Sequence, residues 1–259
     1  MPAAMLSRFF PLRRETPDAA RVPDGRRVYA IGDIHGRLDL LNRLLTMIGQ
    51  DDAARPEADT TLVFLGDYVD RGPDSAAVVD LLRQFAGEAT MDAHFLAGNH
   101  EEVFLLALGG DERATRLFCR IGGRETALSY GVAPDEYERL SHAEVSARLQ
   151  ALVPGAHRDF LSELEDVVVI GDYAFVHAGV RPGKPLDAQR REDLRWIRDP
   201  FLGHRGRLEK VIVHGHTISD EVEMLPHRIG IDTGGFQTDR LTALGLEGEA
   251  RWVLQTELQ

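Results

Sequence analysis

Short apolar runs alternate with helical patterns in the first part of the chain. The run RVYAIGD, Arg27–Asp33, is followed by four apolar residues at helical spacing between Leu38 and Ile48. The runs TTLVFLGD at 60–67 and DAHFLAGN at 92–99 repeat this arrangement, each before a further helical pattern. Buried strands that alternate with amphipathic helices predict a βαβαβα unit with a parallel sheet.

The pattern changes from residue 109 to about residue 165. This stretch contains helical patterns and the loop-like segment GGRETALSYG, which together predict a helical insertion packed beside the sheet. Beyond it, VVVIGDYAFVHAG predicts a hairpin that turns at Gly171 and Asp172, and five further short strand patterns follow. An α/β fold with two packed mixed β-sheets flanked by helices would satisfy both halves of the chain.

We expect a single domain over residues 27–259, preceded by a loosely ordered tail, residues 1–26. The tail mixes aromatic residues with arginines and lacks the uninterrupted apolar segment of a secretory signal. No apolar run approaches the ~20 residues that a bilayer-spanning helix needs. Cys119 is the only cysteine, so an intramolecular disulfide is impossible, as suits a reducing compartment. These features predict a cytoplasmic protein without a membrane partner.

The composition is that of a globular protein with an acidic surface. Hydrophobic residues make up 43% and charged residues 28% of the chain, and the formal net charge is -12. Such a charge repels nucleic-acid backbones, so a nucleic-acid partner is not expected. Five histidines outside the motifs described next are expected to be solvated: His94, His142, His157, His204 and His227.

Potential metal ligands follow the ends of the predicted strands. They lie in GDIHG at 32–36, GDYVDRG at 66–72, GNHE at 98–101, HAG at 177–179 and HGHT at 214–217. In open α/β sheets the carboxyl ends of the strands converge on one crevice. We therefore expect these segments, which are far apart in the sequence, to meet at a single site.

The side chains placed in this crevice exceed the needs of one tetrahedral zinc ion. They comprise two carboxylates, three imidazoles and one amide: Asp33, Asp67, His35, His177, His216 and Asn99. Such a set suits two divalent ions ~3.5–4 Å apart, bridged by a carboxylate and a water-derived oxygen. Oxygen and imidazole ligands without thiolate favour manganese, iron or zinc, and manganese is the ion we expect.

In this order, the five motifs resemble those of the phosphoprotein phosphatase branch of the calcineurin-like metallophosphoesterases. The resemblance is to the short bacterial and phage lambda-type serine/threonine phosphatases, and it extends over roughly residues 27–240. It implies the αββα sandwich of that family. It also implies that one ion is bound by Asp33 and His35, that Asp67 bridges both ions, and that the other ion has the ligands Asn99, His177 and His216.

The resemblance further implies roles for four catalytic residues. His100 would be the general acid, oriented by Asp70, and Arg71 would bind the phosphate. The segment LRWIRD resembles the W-x-R of the family, which makes Arg198 the second phosphate-binding arginine, although Arg195 lies close by. These roles are chemically consistent, because a carboxylate-held imidazole can protonate an alkoxide and guanidinium groups can neutralise phosphate oxygens.

The sequence therefore predicts a metal-dependent phosphomonoesterase, a serine/threonine protein phosphatase in which a metal-bridging hydroxide attacks phosphorus directly. Its substrate would be a phosphorylated protein or a small phosphate ester. The alternative is a dinucleoside tetraphosphate hydrolase with the same metal centre. By resemblance, those enzymes tend to lack the aspartate before Arg71 and to carry GNHD, so DRG and GNHE favour the phosphatase. A third possibility is a binding module without catalytic activity. The complete set of candidate ligands argues against it.

Overall fold

The computed structural model of the protein describes residues 19–87 and 92–256. The predicted tail therefore lies outside the described residues as far as residue 18. Between residues 19 and 25 the chain is anchored to the domain at Val22, whereas most of its neighbours are exposed. Val22 is buried in the apolar cluster between the two sheets, and its N–H donates to the carbonyl of Gly248 at 2.9 Å.

The first part of the chain forms the predicted βαβαβα unit. In chain order its elements are β1 (Arg26–Ile31), α1 (Leu38–Ala53), β2 (Asp59–Phe64), α2 (Ser75–Gly87), β3 (Asp92–Phe95) and α3 (Asn99–Leu108). Strand β2 pairs in parallel with both β1 and β3. The carboxyl ends of the three strands consequently lie at one edge of the sheet.

The insertion consists of short helices that pack on the helical side of this sheet. They are α4 (Glu112–Ile121), α5 (Gly123–Ser129), α6 (Pro134–Tyr137), α7 (His142–Leu152) and α8 (Gly155–Ser162). Phe104 of α3 stacks on Phe118 and Tyr130 of the insertion, with ring centroids 5.4 and 5.9 Å apart. The insertion therefore shares one hydrophobic core with the helices of the first sheet.

The second half of the chain supplies a second sheet and returns to the first one. The elements are β4 (Val168–Ile170), β5 (Tyr173–Phe175), α9 (Arg191–Trp196), β6 (Val211–His214), β7 (Glu223–Met224), β8 (Arg228–Gly230), α10 (Gly235–Thr238), β9 (Thr242–Glu247) and β10 (Ala250–Gln255). The second sheet has the order β4-β5-β6-β8-β7, whereas β9 and β10 extend the first sheet to the order β10-β9-β1-β2-β3.

The two five-stranded sheets pack face to face. Val28 and Ala30 of β1 contact the second sheet, whereas Tyr29 and Ile31 point to the helical layer, as the alternation along a strand requires. The predicted fold, two mixed sheets flanked by helices, is therefore confirmed. Within the described part of the chain, the helices are all too short or too polar to span a membrane.

Candidate metal centre

The six predicted ligands converge at the carboxyl-terminal edge of the two sheets. Asp33 and Asp67 lie in the loops after β1 and β2, Asn99 begins α3, and His177 and His216 lie just after β5 and β6. His35 follows Asp33 in the first of these loops, and all six side chains are buried. Residues separated by up to 183 positions are thereby in contact, as the hydrogen bond between Asp33 and His216 illustrates.

Asp67 lies at the centre of this cluster. Its carboxylate oxygens are 3.5 Å from Nε2 of His35 and 3.4 Å from Nε2 of His177. Two groups of potential metal ligands share Asp67, with ligand atoms within 4.8 Å of one another. The first group adds His35 and His100 and the second adds His177 and His216. The geometry thus provides two adjoining places for a cation with Asp67 between them.

Asn99 and Asp33 complete the surroundings of His216. The side-chain oxygen of Asn99 lies 3.0 Å from Nε2 of His177 and 2.8 Å from Nδ1 of His216. Both carboxylate oxygens of Asp33 accept the backbone N–H of His216, at 3.2 and 3.0 Å. Burial and the neighbouring carboxylates Asp232 and Asp67 raise the pKa of Asp33 well above its usual range. Asp232, to which the sequence assigned no role, is thus a further buried acid at the site.

The tautomers of two imidazoles leave lone pairs that suit a cation. Nδ1 of His35 lies 2.9 Å from the carbonyl of Val69, and Nδ1 of His177 lies 2.8 Å from that of Leu65. Burial lowers the pKa of both histidines, so each ring carries a single N–H, which the carbonyl accepts. Each Nε2 then presents a lone pair towards the oxygens of Asp67. A ring lone pair and a carboxylate oxygen repel each other unless a hydrogen-bond donor or a cation lies beside them. An Nδ1–H held by a backbone carbonyl, with Nε2 left as acceptor, is the arrangement of metal-binding histidines.

His216 adds independent support for a cation. Its Nε2 is buried and has no hydrogen-bond partner among the described residues. Burial, the nearby His177 and the charge of Arg198 lower the pKa of His216 to about 3, against the opposing effect of Asp67. A buried, unprotonated ring nitrogen without a partner is costly unless an ion or a water molecule binds it. The residues present therefore fit divalent metal ions.

The backbone of the site is strained. Five non-glycine residues adopt left-handed φ angles between 47° and 72°: His35, Asp67, Asp70, Arg71 and His216. Such conformations cost of order 1–3 kcal/mol each and persist only where the surroundings enforce them. The loop after β2 contains three of the five and therefore needs the strongest support.

Glu101 supplies much of this support. Its carboxylate is fully buried and accepts four backbone N–H groups. The donors are those of Tyr68 at 2.7 Å, Asp67 at 2.8 Å, Gly98 at 2.9 Å and Val69 at 3.2 Å. Burial and the charge of Asp67 raise the pKa of Glu101 to about 7, while the backbone donors oppose the rise. Sequence reasoning placed Glu101 in a motif but did not find this role.

Two glycines allow the backbone to approach the carboxylates. A Cβ atom at Gly98 would overlap the carboxylate and the backbone nitrogen of Asp67, and one at Gly215 would overlap the carboxylate of Asp33. Both glycines belong to the motifs GNHE and HGHT, so their positions in the sequence reflect this close approach.

His100 and Asp70 form a buried pair next to Asp67. Nδ1 of His100 lies 2.7 Å from a carboxylate oxygen of Asp70. Burial acts to lower the pKa of His100, but the carboxylates of Asp67 and Asp70 outweigh it, and the pKa is raised above its usual value. The imidazole can therefore hold a proton at the edge of the cluster and transfer it.

Arg71 spans the opening of the site. Its guanidinium lies 2.9 Å from Nε2 of His35 and 3.1 Å from Nε2 of His100. The ring of Phe236, a residue that sequence reasoning missed, lies 4.7 Å from the guanidinium carbon and 5.4 Å from the ring of His35. Phe236 directly follows IDTGG, but a single aromatic residue in that segment carries no signal of its own.

The two remaining arginines differ in their surroundings. Arg198 is exposed, and its guanidinium lies 3.4 Å from the hydroxyl of Thr217, next to His216. Arg195 is largely buried and forms ion pairs with Asp166 at 2.6 Å and Glu102 at 3.1 Å. Arg198 is consequently free to meet a ligand, whereas Arg195 is committed to structural contacts.

The sequence of the chain is similar to those of known phosphoesterases. The family model of the calcineurin-like phosphoesterases matches residues 26–245. A symmetrical bis(5'-nucleosyl)-tetraphosphatase of Acidovorax sp. (strain JS42) is 32% identical over 71% of this chain, but the match spans only about half (51%) of that relative. An asymmetrical bis(5'-nucleosyl)-tetraphosphatase of Anoxybacillus flavithermus (strain DSM 21510 / WK1) is 27% identical over 83% of this chain and 88% of the relative.

A solved structure has the same fold. It is described as a candidate diadenosine tetraphosphatase, with a TM-score of 0.62 and 22% identity, and the match covers 93% of this chain and 100% of that one. The family match extends over most of the domain, including the loops that carry the buried carboxylates and imidazoles. The chain belongs to the calcineurin-like phosphoesterase family.

Proposed function

We propose that the protein hydrolyses dinucleoside polyphosphates at a site that binds two divalent metal ions. The similarity to tetraphosphatases of both the symmetrical and the asymmetrical kind is the observation that carries this proposal. This similarity favours the alternative that the sequence motifs left open, a dinucleoside tetraphosphate hydrolase. The motifs DRG and GNHE therefore count less as markers of a phosphoprotein substrate. The buried ligand cluster supports the metal dependence.

The six proposed ligands would be divided between two ions, and His100, although it lies in the first group of candidate ligands, would not be one of them. Asp33 and His35 would bind the first ion, Asp67 would contribute to both, and the second would be bound by Asn99, His177 and His216. When bound, the ions supply Lewis-acid polarisation of the phosphate and lower the pKa of water. Imidazole, amide and carboxylate ligands without thiolate suit manganese, which we propose as the native ion.

Arg71 and Arg198 would bind the polyphosphate. The guanidinium of Arg71 now donates to Nε2 of His35, and it would turn towards the phosphate oxygens if His35 served as a metal ligand. Arg198 lies at the exposed edge beside His216, where a second phosphate could be reached. Planar guanidinium groups suit this task because each can donate two parallel hydrogen bonds to a phosphate.

His100 would donate a proton to the leaving group. Asp70 holds Nδ1 of His100, so the orientation of the ring is defined, and Nε2 points to the opening of the site, where Arg71 contacts it. When Arg71 turns to the phosphate, a proton on Nε2 of His100 can pass to the departing oxygen.

A panel of substrates tests the proposal. The manganese-loaded protein would be assayed with diadenosine tetraphosphate, a phosphoserine peptide and 4-nitrophenyl phosphate, with nucleotide products separated by ion-exchange chromatography. We expect kcat/KM for diadenosine tetraphosphate to exceed that for the peptide by about tenfold or more, equivalent to ~1.4 kcal/mol of transition-state binding. Asp67→Asn, prepared identically, controls for contaminating enzymes. A higher kcat/KM for the phosphopeptide would overturn the proposal and restore the protein-phosphatase reading.

A further inference from the structure

The helical insertion reaches the acid–base pair through one hydroxyl group. Thr126 of α5 is fully buried, and its hydroxyl donates to one carboxylate oxygen of Asp70 at 2.7 Å. The other carboxylate oxygen of Asp70 accepts the Nδ1–H of His100, also at 2.7 Å. A continuous line of hydrogen bonds thus leads from the insertion to the imidazole at the site.

The direction of these hydrogen bonds follows from the number of protons. The hydroxyl of Thr126 has one proton and lies near both the carboxylate of Asp70 and the hydroxyl of Ser75, which is 3.0 Å away. The carboxylate is the stronger acceptor and takes the proton. The lone pairs of Thr126 then accept the backbone N–H of Asp70 at 2.8 Å. One hydroxyl therefore holds both the side chain and the backbone of Asp70.

The insertion also holds the next residue of the same loop. The backbone N–H of Arg71 donates to the carbonyl of Gly122 at 3.0 Å. Gly122 has a φ of 121°, and a Cβ atom there would lie only 2.7 Å from the Arg71 side chain. Asp70 and Arg71 are both left-handed, at φ 72° and 69°, so this part of the loop requires external support. The insertion provides it at two consecutive residues.

We propose that Thr126 is a positioning residue for the His100–Asp70 pair, and that the insertion thereby completes the active site. This inference rests on the proposed role of His100 as proton donor. With the hydroxyl in place, the Asp70 carboxylate is prevented from rotating and its second oxygen stays aimed at Nδ1 of His100. Without the hydroxyl, one carboxylate oxygen of Asp70 loses its contact with Thr126 and the carboxylate can turn. The backbone N–H of Asp70 then keeps only its second acceptor, the hydroxyl of Ser75 at 3.1 Å.

Variants of Thr126 and Ser129, both on α5, distinguish a role of Thr126 in positioning Asp70 from a role in packing of the helix. Thr126→Val removes the hydroxyl at nearly constant size, Thr126→Ser keeps it, and Thr126→Ala is a second deletion should the valine variant not fold. Ser129→Ala is the matched control, because Ser129 bonds the backbone N–H of Ala76 at 3.1 Å and the carbonyl of Thr126 at 2.8 Å rather than Asp70.

We expect Thr126→Val to lower kcat about tenfold, the scale of one hydrogen bond, at unchanged KM and metal content. Thr126→Ser and Ser129→Ala should stay within about twofold of the wild type. In an Asp70→Asn background, Thr126→Val should have little further effect, since the two residues act through one contact. Unchanged kcat in Thr126→Val, or an equal loss in Ser129→Ala, would overturn the inference.

A spectroscopic measurement decides the question without any substrate. In the zinc-loaded, 15N-histidine-labelled protein, the Nδ1–H resonance of His100 is identified by its disappearance in His100→Gln. It should move in Thr126→Val and stay in place in Thr126→Ser and Ser129→Ala. An unmoved resonance in Thr126→Val would refute the positioning role. Lack of turnover of diadenosine tetraphosphate by the wild type would instead refute the proposed substrate, and the resonance would still report on Thr126.

Discussion

Glu101→Gln is the substitution expected to damage the site most without touching a proposed metal ligand. The two carboxylate oxygens of Glu101 each accept two backbone N–H groups, which hold the strained loop after β2 against the start of α3. Glutamine has the same size, but one of its two terminal atoms is an amide nitrogen that donates. Whichever way the amide is turned, two N–H groups then face another donor.

The magnitude follows from the two backbone hydrogen bonds that the amide nitrogen cannot accept. A hydrogen bond to a charged group contributes about 1.5–3 kcal/mol, so the loss of two lowers the free energy of unfolding by at most about 3–6 kcal/mol. Removing a buried charge that Asp67 repels offsets part of this loss. A domain is stabilised by only about 5–15 kcal/mol in total, so the folded state would become marginal. Because Asp67 is one of the held residues, metal affinity should fall in parallel.

Urea denaturation of the metal-free protein, measured above the pKa of about 7, provides the assay for stability. The matched control is Glu102→Gln, since the neighbouring Glu102 is partly exposed and pairs with Arg195 at 3.1 Å. That change is expected to cost at most about 1 kcal/mol. If Glu101→Gln is destabilised by no more than Glu102→Gln, the carboxylate of Glu101 does not stabilise the loop after β2.

Three further predictions concern separate parts of the structure. Arg198→Ala should lower kcat/KM about 10²-fold at an unchanged urea midpoint, whereas Arg195→Ala should lower the midpoint because it breaks the largely buried ion pair with Asp166 and the partly exposed one with Glu102. Asp67→Asn should reduce bound divalent metal from two ions per chain towards none, as measured by elemental analysis. Burial lowers the pKa of His157 against the opposing effect of Asp80, so the unfolded state takes up its proton first. Wild-type stability should therefore fall as the pH drops through about 6.5, and His157→Gln should reduce that slope.

Distinct outcomes would contradict each of these. Full activity in Arg198→Ala would remove it from the phosphate-binding residues. One tightly bound ion in Asp67→Asn would mean that Asp67 does not serve both sites. An identical pH slope in His157→Gln would mean that this histidine is protonated equally in the folded and unfolded states.

The strands and helices of the first half could be predicted from the sequence because their signals are local. Each apolar run is bounded by a Gly-Asp or Gly-Asn turn, and each helix shows its apolar face within a few turns. The same locality made it possible to predict that the candidate ligands lie together, since each follows a strand and parallel strands end at one edge. Their individual roles at the metal ions stay predictions.

The tertiary structure decides which strands pair with each other and which polar side chains form hydrogen bonds. The apolar pattern of β9 and β10 identifies strands but not their sheet, and they return to pair with β1 and with each other rather than with β8. The expectation that His157 and His227 are solvated was wrong, because both are buried. His157 is packed against Tyr130, whose hydroxyl lies 3.0 Å from its Nδ1.

Three residues at or behind the site show why the sequence alone does not predict long-range polar contacts. Glu101, Thr126 and Phe236 each act on residues that are 30 or more positions away, as the 56-residue separation between Thr126 and Asp70 illustrates. Hydrophobic periodicity reports which face of a helix or strand is buried, and it says nothing about which buried donor meets which acceptor. That choice is made only when the insertion, the loop after β2 and α3 pack together, because each buried polar group must then find its partner among the atoms that packing brings near.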